Sequence, residues 1–233
     1  MAMITGTIMD TVKVAALLQL ASPALPIGTF SYSQAMEPAI DAGIVHDAPT
    51  AQSWIAAGLD ILARGDAILL LRQCQAWCDA DDDALARNNR SLMALRESSE
   101  LWLESEQMGS SLARLALGLE WGDAAQRERL AALRPVALPT AYAYAATALG
   151  IGPRHALASW LYAWLENQVA SALKAVPLGQ VAGQRILHNL RPAVAGAVQH
   201  SLAADDSDIS TFAPLLGVLS SRHETQYSRL FRS

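Results

Sequence analysis

Residues 153–175 read PRHALASWLYAWLENQVASALKA. In this stretch Leu157, Trp160, Leu161, Trp164, Leu165 and Val169 recur at helical spacing and form one broad apolar face. Pro153 suits the first turn, where its missing N–H costs nothing, and Pro177 with Gly179 ends the run. A helix this long cannot cover such a face by itself, so it needs other helices packed on it.

The same periodicity continues outward in both directions, and no bounded run alternates apolar and polar residues as a half-buried strand would. Downstream, a helix is expected from Gln180 to about Ala204, with Pro192 deleting one backbone hydrogen bond. Acidic residues 203–210 then read as a linker to the segment Thr211–Ser233. Upstream, Gly150–Pro153 separates two halves, and helices are expected near Asp83–Arg96, Ser99–Leu119, Asp123–Leu133 and Thr140–Leu149. Nearer the start, Thr11–Ala21 should stop before Pro23. Ser31 can cap a helix running to Gly43, with Gln34 as its capping-box partner. A further helix should run from Pro49 to Arg64, with Gly65 as a left-handed stop and Asp66 capping the next as far as Ala80. The fold class is therefore all-α: a single-domain bundle of about eight to ten helices over residues 1–204, with an acidic linker and flexible C-terminal tail over 205–233.

Composition narrows the function. Of 233 residues, 52% are hydrophobic and only 17% charged, with a net charge of -5, so there is no positive field to gather nucleic acid. An apolar excess with few charges implies nonpolar surface that a partner or second copy covers, and an oligomer or a complex is expected. No run of about 18 apolar residues is available to span a membrane. Lys13 before Val14–Leu18 superficially resembles a secretion signal, but Asp10 neutralises its charge and Gln19 interrupts the run. Two cysteines make no disulfide framework and suit a reducing cytoplasm.

Chemistry is sparse. There is no glycine-rich phosphate loop, and Lys174 sits in Ala-Leu-Lys-Ala without the glycines that loop requires. Cys74 and Cys78 share a helical face and could supply two metal ligands, yet no histidine is near in sequence, so buried thiols are the favoured reading. His46, His155, His188, His200 and His223 are scattered without ligand spacing, and no nucleophile elbow occurs. Asp81, Asp82 and Asp83 read as a solvated helix start. No catalytic residue, cofactor or resident metal is expected.

Three segments exceed what packing alone asks for. In Leu25–Gln34, a stiff Pro26–Gly28 loop leads into Phe30, Ser31, Tyr32 and Ser33. In Ala172–Gln180, Lys174 is the only charge between Glu166 and Arg185, followed by Pro177, Gly179 and Gln180. The C-terminal stretch carries Arg222, His223, Glu224, Tyr227, Arg229, Leu230, Phe231 and Arg232, mixing arginines with the aromatic and apolar types that anchor interfaces. All are candidate partner-binding residues.

Those three blocks, with Arg96–Leu101 and Gln107–Gly109, resemble the urease accessory protein family UreF, and the C-terminal block is the most specific. Thr29, Ala35, Met36, Pro38 and Trp102 depart from the usual pattern. The resemblance implies a non-catalytic, all-helical, dimeric protein that joins UreD (also called UreH) and the GTPase UreG to act on urease apoprotein during nickel incorporation. It further implies that Arg229–Arg232 dock on UreD and that Lys174 lies on a surface coupled to the GTPase. Deleting Thr225–Ser233 would then leave the fold nearly intact.

Overall fold

The computed structural model describes residues 10–233. Among them are eleven α-helices: α1 (Thr11–Ala21), α2 (Met36–Asp41), α3 (Ala48–Arg64), α4 (Asp66–Asp79), α5 (Asp82–Ala94), α6 (Ser99–Gly118), α7 (Ala124–Ala132), α8 (Leu138–Ala148), α9 (Pro153–Ala175), α10 (Gln180–Ala203) and α11 (Pro214–His223). Short 3-10 turns lie at Thr29–Ser31 and Asp206–Asp208. The all-α class holds, with eleven helices rather than eight to ten. No described helix is long and apolar enough to cross a membrane.

The helix α8 is the centre of the bundle, packed by α4, α6 and α9, while α3 and α9 carry α10. Its alanines let neighbouring backbones approach, so Pro139 through Ala146 are all buried. A few polar groups fix the register. Gln73 Nε2 donates to Thr140 Oγ1 at 2.8 Å, Trp77 Nε1 donates to the Thr140 carbonyl at 3.2 Å, and the Trp77 ring meets Tyr144 edge-on. Asn89 on α5 clamps the entry to α8, donating to the Pro135 carbonyl at 2.8 Å and accepting from the Ala137 amide at 2.9 Å. Gly109 allows α6 to touch the same entry, because a Cβ there would lie 2.2 Å from the Val136 carbonyl oxygen.

The long helix α9 has the expected limits, with Leu157, Leu161 and Leu165 fully buried. Asp81 caps α5 by accepting from the Ala84 amide, in keeping with a solvated helix start. Three local expectations fail for tertiary reasons. The helix expected from Ser31 is broken, since Gln34 and Ala35 adopt left-handed φ of 51° and 64° and leave only the six residues of α2. The Gln34 side chain is drawn away from capping to bond with Glu104 and Trp164. Gly65 is not left-handed (φ -124°), and Asp66 does not cap α4 but pairs inside the protein with Arg96. The C-terminal tail is not free either: α11 packs on α2 and α6, and residues 224–233 lie back across the body, as the next section describes.

Candidate partner-docking site

Three distant segments meet where the C-terminal residues cross the N-terminal block. The Ser33 amide donates to the Ser233 carbonyl at 2.9 Å, and the Ser33 hydroxyl donates to the same oxygen at 2.5 Å. The Arg232 amide donates to the Ser31 carbonyl at 2.8 Å. The third segment joins through Lys174, whose ammonium stands 4.5 Å from the centre of the buried Phe231 ring.

Three carboxylates hold this crossing, and none was among the candidates read from sequence. Glu37, on α2, accepts the Leu230 amide at 2.7 Å and the Phe231 amide at 2.9 Å. His223 is fully buried between Glu37 and Glu100, with Nε2 3.2 Å from the first and Nδ1 2.7 Å from the second. Glu100 also pairs with Arg229 at 2.6 Å. One turn along α6, Glu104 accepts Ser233 Oγ at 2.7 Å and Gln34 Nε2 at 2.6 Å. Burial pushes the Glu104 carboxyl up, and the bonds from Ser233 and Gln34 pull it only partly back. Glu224 takes the opposite shift: a hydrogen bond from Ser99 holds its carboxyl below the usual range. Tyr32 donates to Gln107 Oε1 at 2.6 Å, and burial raises its phenol against a bond from Arg232.

The candidates thus divide. Tyr32, Ser33, His223 and Phe231 are buried and act within the chain, and Ser31, Glu224 and Arg229 also make internal bonds. Phe30 (74% exposed), Tyr227 (fully exposed) and Leu230 (57%) point outward, with Lys174, Arg222 and Arg232 also exposed. Pro26, Pro177, Gly179 and Gln180 are exposed too, and make no side-chain hydrogen bond among the described residues. The missed carboxylates had one sequence signal: Glu100 and Glu104 are four apart on a face that also buries Leu101 and Met108.

Elsewhere, Cys74 is buried and its thiol is pushed up to about 12 by desolvation, whereas Cys78 is exposed. Among the described residues no group of three or more His, Cys, Asp or Glu side chains is placed to hold a metal ion.

The described residues thus form an all-helical body whose C-terminal segment is tied back to it and carries exposed apolar and cationic side chains. The UreF family model matches residues 45–191, more than half of the chain. The chain belongs to the UreF family, whose role is accessory to urease and its nickel maturation.

Proposed function

We propose that this protein is a non-catalytic cytoplasmic scaffold, active as a homodimer, that links UreD (UreH) and the GTPase UreG on urease apoprotein while nickel, the cargo, is inserted. The observation that carries the reading is the C-terminal crossing. Buried carboxylates fix the backbone of residues 230–231, where Leu230 faces outward, and Phe30, Tyr227, Arg222 and Arg232 are exposed as well. Pre-ordering of this kind lowers the entropic cost of association, and aromatic and arginine side chains are the usual energetic anchors.

Removing residues 225–233 is a poor test, because it also strips Glu37 and Glu104 of partners. The triple variant Phe30→Ala, Tyr227→Ala, Leu230→Ala alters only exposed side chains. Capture of UreD should fall by on the order of 100-fold with the melting temperature unchanged, if each anchor contributes about 1 kcal/mol. Full retention of UreD capture by the folded triple variant would remove this surface from the assembly. Reconstituted activation of urease apoprotein with UreD, UreG and the same variant then reads the functional consequence.

A further inference from the structure

A second feature shares Glu104 with the crossing and extends away from it. Between the end of α1, α6 and α9 is an open cavity of about 200 Å³, walled by Phe30, Tyr142, Trp160 and Trp164. Four carboxylates line it, Asp66, Glu97, Glu104 and Glu166, against a single guanidinium, that of Arg96. Two of the four are answered internally, Asp66 by Arg96 and Glu104 by Gln34 and Ser233. Glu97 and Glu166 make no side-chain hydrogen bond or ion pair among the described residues. Burial raises the Glu166 carboxyl and no donor offsets it.

We propose that this cavity receives a cationic side chain, arginine or lysine, presented next to an aromatic residue on a partner protein, with Glu166 and Glu97 meeting the cation and the aromatic walls taking its stem and neighbour. Aromatic faces and unpaired carboxylates both attract a cation, and an apolar wall accepts the methylene stem. Size favours a side chain over a free metabolite, since small-molecule pockets usually begin at about 300 Å³. Phe30 is both a wall of the cavity and an exposed member of the docking surface, so a partner seated there can reach inside.

The probe is the dipeptide N-acetyl-Phe-Arg-amide, compared with the same peptide carrying neutral citrulline, on the intact protein. The arginine peptide should shift the indole N–H signals of Trp160 and Trp164 saturably. Citrulline should weaken binding about tenfold, and Glu166→Gln should weaken the arginine peptide about as much while leaving the citrulline peptide unaffected. Glu97→Gln should give a smaller loss. Equal binding of the two peptides, or no saturable shift, overturns the inference even if Glu166→Gln fails to fold, because that comparison needs no variant. UreD capture is read separately, so failure here leaves the scaffold reading standing, and failure there leaves the cavity standing.

Discussion

Around Leu161 the protein is held by shape, whereas around Glu37 it is held by charge. The first region is aliphatic and aromatic, with Leu161, Leu165 and Tyr142 each at or near zero exposure, and its stability comes from surface removed from water. The second is equally buried at His223 and Ser233, yet its members are carboxylates, an imidazole and backbone amides. Deleting an apolar side chain from the first leaves a cavity that every helix packed on it feels. Deleting a member of the second leaves its partner desolvated and unpaired, a loss confined to the groups it bonded.

The largest effect should therefore come from the bundle and be global. Leu161→Ala creates a cavity on the buried face of α9 and should cost about 2–5 kcal/mol. Denaturant unfolding would show a single shifted transition, with the core and the C-terminal segment melting together. If the junction alone loosened while the core kept its stability, Leu161 would not be part of the central support.

Glu37→Gln should cost less, about 1–3 kcal/mol, and locally. The substitution keeps the volume but gives one side of the group two donors, so the Leu230 and Phe231 amides and His223 compete for a single neutral oxygen. Hydrogen exchange should accelerate at residues 230–233 and stay slow in α8 and α9. Uniform acceleration throughout the chain would show that the crossing and the bundle open as one unit, and the contrast between them would fail.

The contrast sharpens with pH. The Glu104 carboxyl is raised from its ordinary 4.5, so the fold binds that proton more tightly than the unfolded chain does. Its stabilising contribution is fully present below the ordinary value and is lost as pH rises through the raised folded value. The stability of the natural protein relative to Glu104→Gln should accordingly fall over that interval. Glu224 works in the reverse direction, losing stabilisation as pH falls through its lowered value, but it is common to both proteins and cancels in the difference. A difference that is flat across the interval would mean that Glu104 is no more desolvated than a surface glutamate.

The two regions also differed in how readily the sequence disclosed them. Periodicity exposed the bundle, because Leu157, Leu161 and Leu165 repeat along one helix and the prolines mark its ends. The crossing is made of residues far apart in the chain, with Ser33 bonded to Ser233 and Glu37 to Phe231, and no local pattern encodes such pairs. Local rules even misled there. Ser31 and Gln34 match a capping box, but the bonds Gln34 makes to Glu104 and Trp164 are available only in the folded chain and prevail over the cap. The same holds for Asp66, a sound N-cap by type that is instead drawn to Arg96 across 30 residues. The three segments were legible as unusual, though not as neighbours: an isolated Lys174 does not announce a ring at residue 231.

Lys174 offers the smallest effect and the closest discrimination. Its ammonium lies 4.5 Å from the Phe231 ring centre while remaining exposed, so removing it forfeits an interaction worth about 0.5–1 kcal/mol at such a site. In Lys174→Ala the global melt should scarcely move, and hydrogen exchange at Phe231 and Arg232 should quicken a few-fold. Lys174→Arg keeps a cation able to stack on the ring and should restore protection, whereas Lys174→Met keeps most of the stem without the charge and should not. If Met protects as well as Arg does, the side chain acts through its methylenes alone. The segment around Lys174 would then meet the tail by shape, as the bundle does.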